Sequence, residues 1–274
     1  MNFEHRRSLA LSNIPITGTY RHKDIFQIMP ADSEAPRPRA VLDHHPFVIE
    51  YRFIIDELPR TFPDGQIMPQ WVRNNEEAAR ILKELLLLLT VFSCGRLFLY
   101  APKQTWFIPM GKKGEEPALR EVEWGQQGYF YKGFQSNIGG FSNLNGSSIK
   151  QIDPNEYFNR YGRYADQEYD LPNNIGNLFD IYYSLEEEAK ESFLCSSSLF
   201  DQGVEMWSEH PSLSFAAMVS SLETLVHIDN RKERIERCKE CKQDVYRVVE
   251  RFRNFLNKYG SPSPEFKKYA LKIW

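Results

Sequence analysis

Cysteine is scarce in this 274-residue chain. The four are Cys94, Cys195, Cys238 and Cys241. The first two are isolated in apolar or mixed helical runs and read as packed thiols, which excludes a secreted disulfide framework. Long apolar runs are missing too. The greasiest stretch, "ILKELLLLLTVFSCG", is interrupted by Lys83 and Glu84 and followed by Arg96. It is shorter than the roughly 20 apolar residues a bilayer requires. The N-terminal "MNFEHRRSLALSNIPITG" has only a short apolar run, broken by Asn13 and Pro15, and makes a poor signal peptide. These absences predict a cytoplasmic protein with no membrane partner. Phosphate-loop chemistry is also missing: there is no GxxxxGK[ST], and no GxGxxG between a strand and a helix. No HExxH or Ser-His-Asp arrangement is evident, and no internal repeat.

What is present is divided. Residues 231–274 hold thirteen Lys/Arg against six Asp/Glu, a net of +7. The remainder holds twenty-one basic and thirty-one acidic residues, a net of −10. Such asymmetry points to a basic, partner-facing end, or to a solvated helical surface docked on an acidic neighbour.

The hydrophobic pattern divides in the same way and predicts an α+β chain. Residues 1–175 read as a β-rich domain for sensing or recruitment, with one buried helix. In "PFVIEYRFII", Phe47, Ile49, Tyr51 and Phe53 alternate with Glu50 and Arg52, which is strand periodicity. A helix over 75–92 follows, with Glu76 and Glu77 in its first turn and apolar character all round. "RLFLYA" and "QTWFIP" read as a strand pair. Residues 110–175, rich in Gly, Asn and aromatics, read as short strands and turns.

Residues 176–274 carry helical periodicity and read as a helical bundle. Ser184 and Glu187 have capping-box spacing. Leu185, Ala189, Phe193, Phe200, Val204 and Trp207 form one apolar stripe, and Phe215, Met218, Val219, Leu222, Leu225 and Val226 a second. Val245, Val248, Val249, Phe252, Phe255, Leu256 and Tyr259 form a third, stopped by Gly260. Ser263 and Pro264 start a last helix that predicts a chain cut before a cap.

Three constellations could carry chemistry. Cys238 and Cys241 form a CxxC, half of a structural zinc site that needs four ligands; otherwise they are thiols in a helix-start loop and no cofactor is expected. At about 100° per residue, Arg247, Arg251, Asn254 and Lys258 cluster opposite the third apolar stripe, a face that could hold RNA phosphates. The other reading is a solvated polar face. Glu223 flanks the second stripe, either as an acid supporting catalysis or as a surface residue. His44 and His45 could pair with Arg37 or Arg39 as an Arg-x(4–6)-His motif, but their context is not helical.

"LEEEAKESFLCSSSLFDQGVEMWSEHPSLSFAAMVSSLETLV", "CKECKQDVYRVVERFRNFLNKYG" and "SPSPEFKKYALKIW", in that order, resemble an Apea-like HEPN domain. The likeness covers roughly residues 180–274. It implies a helical bundle that commonly homodimerises, and RNA cleavage without metal, in several members as antiphage defence. There a final helix bears Arg-x(4–6)-His. No such motif occurs after residue 180, so the resemblance implies no catalytic residue here. The expectation is an RNA-binding, ribonuclease-like protein truncated before its motif; the alternative is a non-catalytic dimerisation or partner-binding module.

Overall fold

The computed structural model describes residues 2–33, 35, 44–55, 57–99, 134–159, 167–230, 236–237, 241, 244–245 and 248–259. The chain is α+β, with a β-rich N-terminal part as expected. It divides into two compact units, Met1–Ile181 and Tyr182–Trp274. The division falls within a helix, later than the expected boundary at 175/176.

The first unit is built on a six-stranded antiparallel sheet. Strands β1 (Phe3–Ser12), β2 (Tyr20–His22), β3 (Phe26–Pro30) and β4 (His45–Ile54) are joined by β5 (Leu97–Phe98) and β6 (Asn137–Ile138). The order is β2-β3-β4-β1-β5, with β6 also on β1. β1 and β4 pair along ten residues, Phe3 opposite Ile54 and Ser12 opposite His45. Strand alternation then decides the two faces. On one, Phe47, Ile49, Tyr51, Phe53, Phe26 and Ile28 are buried, as the period-two pattern predicts. The long helix α1 (Gln70–Ser93) and α3 (Ile175–Ser184) meet there, with Phe179 packed on Phe26 at 4.8 Å and on Phe92 at 5.2 Å between ring centroids.

α1 starts at Gln70, earlier than the apolar run suggests, so Glu76 and Glu77 do not lie in its first turn. Its polar N-terminal half is fastened to β1 instead: Asn74 donates to Glu4 and Arg6 donates to Asn75. Its leucine-rich half, Leu85 to Leu89, is buried throughout. A short helix that the sequence reading missed, α2 (Pro154–Phe158), is set by local chemistry. Asp153 caps the amides of Asn155 and Glu156, and proline holds the first position. Strands β7 (Gln151–Ile152) and β8 (Leu171–Pro172) form a short parallel pair. The expected strand "QTWFIP" lies outside the described residues.

The second unit contains α4 (Glu187–Met206), α5 (Pro211–Asn230), the two-residue strands β9 (Glu236–Arg237) and β10 (Asp244–Val245), and α6 (Val248–Tyr259). α4 and α5 are antiparallel, because Ser196 meets Ser221 while Gly203 meets Ser214. Several expectations are corrected here. Ser184 ends α3 rather than capping α4; the N-cap is Glu186, with no side-chain cap bond. Between α4 and α5 the fully buried contacts are small residues, and the apolar stripes are only partly covered. Ser196, Ser197, Gly203, Ser214 and Ser221 are buried, while Trp207, Phe215 and Leu222 are exposed. Cys195, expected to be packed, is exposed beside Ser196, and Cys94 is exposed where the chain leaves α1. Small side chains let two backbones approach, and each buried hydroxyl finds a carbonyl: Ser196 and Ser221 donate to each other's main chain at 2.9 and 2.8 Å. Val245 lies in β10, so it does not share the α6 face.

Candidate functional site

α6 is positioned by its apolar side. Phe252 and Leu256 are buried against Val226 of α5, with Phe255 beside them. Helical geometry then turns Asn254, Asn257 and Lys258 outward, and all three are exposed. Arg251 is half-buried at the flank and Arg253 is exposed. Three of the four expected RNA-binding residues, Arg251, Asn254 and Lys258, thus lie on α6; Arg247 lies outside the described residues. Lys258 is not an open cation. Its ammonium donates to Asp229 of α5 at 2.9 Å, and the Tyr259 hydroxyl donates to the same carboxylate oxygen. The contacts with Tyr259 and Asp229 raise the Lys258 pKa, and Lys258 and Tyr259 lower that of Asp229. A phosphate reaching Lys258 must therefore compete with a carboxylate.

Glu223 is exposed on α5. Cys241 is exposed and Cys238 lies outside the described residues. Among the described residues no group of three or more His, Cys, Asp or Glu could hold a metal ion. His44 stacks edge-on against Phe98 at 4.7 Å, and His45 opens β4; neither sits on a helix, and Arg37 and Arg39 lie outside the described residues. The last expected helix, residues 264–274, also lies outside them. No helix among the described residues is long and apolar enough to cross a membrane.

Sequence reasoning missed two polar clusters in the first unit. The larger surrounds Glu50. Alternation puts Glu50 on the sheet face opposite Phe47 and Ile49, which from the sequence alone looks solvated. It is fully buried instead. The segment 139–148 runs from β6, at the β1 edge, to a bridge between Ser148 and Thr19 beside β2, so it crosses this face. At its centre Ser142 donates its amide and its hydroxyl to Glu50, both at 2.8 Å. Arg7 adds Nε at 2.8 Å and Nη2 at 2.6 Å, and Gln27 adds Nε2 at 2.7 Å. Burial pushes the Glu50 pKa up, but the Ser142 and Arg7 donors outweigh it, and the net direction is down. This is a clamp that fastens the crossing segment. The only sequence signal was three polar residues, Arg7, Gln27 and Glu50, at positions that register pairs across β1, β4 and β3.

The smaller cluster lies on the opposite face. His22 is 3% exposed, with its ring 5.7 Å from Phe26 and 5.1 Å from Phe179. Its Nε2 stands 3.5 Å from Asp180 of α3, whose same oxygen takes the Lys23 ammonium. Burial, and secondarily Asp180, pushes the neighbouring Tyr20 pKa up to about 12.

Comparison with protein-family models, with curated proteins and with solved structures finds no match for the chain.

Proposed function

We propose that the second unit binds RNA through α6, as an HEPN-like, ribonuclease-like module acting in the cytoplasm as a homodimer. One observation carries this reading: the exposed side of α6 bears Arg253, Asn254, Asn257 and Lys258, within a segment of net charge +7. Arginine and lysine hold phosphates, and asparagine donors can hydrogen-bond backbone or base. The order of sequence signatures that resembles an Apea-like HEPN domain supports the same reading, as does its link to antiphage defence. Glu223 would then be a surface residue beside the bundle.

Fluorescence anisotropy with a labelled single-stranded RNA tests it. Wild-type protein should bind, and Arg253→Glu with Lys258→Glu should abolish binding while leaving helical content unchanged. Equal binding by the double variant sinks the assignment to α6. Incubation of an RNA pool without added metal tests the nuclease part separately, since an intact pool leaves binding alone.

A second reading is favoured by a specific feature. Phe215 and Leu222, seven residues apart on one side of α5, are exposed, as is Trp207 at the end of α4, and exposed apolar surface marks interaction sites. On that reading the unit is a non-catalytic dimerisation or partner-binding module. Sedimentation beside the anisotropy assay separates the two: a wild type that binds no RNA but forms a dimer, dissociated by Phe215→Asp with Leu222→Asp, favours this one.

A further inference from the structure

The turn between β2 and β3 and the helix α3 meet at a cluster that no RNA-binding role uses. β2 and β3 pair from Tyr20–Ile28 to His22–Phe26, leaving residues 23–25 as the turn. Lys23 takes a left-handed conformation there, with φ of 50°. Its ammonium pairs with the Asp180 carboxylate. His22 precedes it on the buried face. One edge of its ring faces Asp180 and the other lies near Gly176, where an added Cβ would stand 3.9 Å from Nδ1 and 3.8 Å from the Tyr20 hydroxyl. Phe26 from β3 and Phe179 from α3 flank the ring.

The arrangement suits a neutral imidazole and not a cation. His22 Nε2 has no hydrogen-bond partner among the described residues. Its 3.5 Å separation from Asp180 is too long for a good hydrogen bond, and Lys23 already occupies that oxygen. A proton on this ring would therefore be buried among phenyl groups, beside an ammonium, with its counter-charge already engaged.

We propose that His22 is an acid-sensitive latch for the first two turns of α3: neutral His22 keeps residues 175–181 packed on the sheet, and protonation releases them. The groups that set its balance are Asp180 from α3, which favours the proton, Lys23 from the turn, which opposes it, and Tyr20 from β2, neutral throughout this range. Burial is the largest influence, and it lowers the His22 pKa against the ordinary value. The sign follows. The released state binds the proton more readily than the packed state, so packing is complete above about pH 6.5 and weakens as pH falls through the folded-state value. Each pH unit in that window favours release by up to about tenfold.

Hydrogen exchange of the full chain, with rates corrected for intrinsic pH dependence, tests the latch. From pH 7.5 to pH 5, the amides of residues 175–181 should lose protection in the wild type. His22→Phe should abolish that pH dependence. Lys23→Met, which removes the opposing charge and frees Asp180 for the imidazolium, should shrink it. The proposal fails if His22→Phe keeps the wild-type profile. If His22→Phe does not fold, NMR titration of the wild-type imidazole decides: a pKa at or above 6.5 overturns the latch, and one below it supports it.

Discussion

A carboxylate with no exposure is tolerated in this protein because its donors are all in place. Glu50 accepts from Arg7, Gln27 and both donors of Ser142. Removing it leaves the Ser142 amide without its acceptor and takes the carboxylate from a partly exposed Arg7 and from Gln27, which keep only their bonds to Ser142. Glu50→Ala should cost about 3–5 kcal/mol in urea unfolding. Ser142→Ala removes one hydroxyl and leaves the amide bond, so about 1–2 kcal/mol is expected. The Glu50 pKa lies below its ordinary 4.5. Its stabilisation is therefore present above the ordinary carboxylate range and lost as pH falls through the folded value. Stability of the wild type should drop with acid in that window, while Glu50→Gln, which has no charge to lose there, should show a shallower drop. Equal slopes would remove the clamp from the explanation of acid sensitivity.

Among elements, the α4–α5 hairpin shows what close packing demands. A Cβ on Gly203 would meet Met218 Cγ at 2.7 Å and the Ser214 carbonyl at 3.1 Å. Cγ lies near the root of the methionine side chain, and the carbonyl belongs to the facing backbone, so neither moves aside alone. Gly203→Ala should therefore force the helices apart, at roughly 1–3 kcal/mol, read as a lower urea midpoint for the loss of helical circular dichroism. Ser221→Ala forfeits the bond to the Ser196 carbonyl but keeps the one that Ser196 donates back; about 1 kcal/mol is expected. An unchanged midpoint for Gly203→Ala would mean that the seam is looser than its distances indicate.

Over the whole molecule, the charge division carries the functional reading. A basic C-terminal segment on an otherwise acidic chain should bind RNA in a strongly salt-dependent way. Three or four phosphate contacts imply a log–log slope on the order of −2 to −3 for a single strand. Asp229→Asn is the informative variant, because it frees Lys258 from its carboxylate. RNA affinity should rise in this variant and fall in Lys258→Met. A rise in neither the affinity nor the salt slope for Asp229→Asn would show that Lys258 takes no part.

Much of the architecture was legible because it is local. Phe47, Ile49, Tyr51 and Phe53 alternate and are buried; the leucine run is buried all round; Phe252 and Leu256 form the packed side of α6. Burial of large apolar side chains drives these elements, and their spacing alone reports the period. What tertiary structure decided is which partner each face meets. A crossing segment far along the chain turned Glu50 from a surface residue into a buried anchor. α4 and α5 meet through buried serines and a glycine while Phe215 stays exposed, since paired hydroxyls and close backbones compensate for lost apolar area. His22 became a buried base only when Phe179 and Asp180 arrived from residues distant in sequence. Composition and periodicity carry no information about such pairings, because these contacts join positions far apart in the chain and depend on register, crossing and small-residue fit.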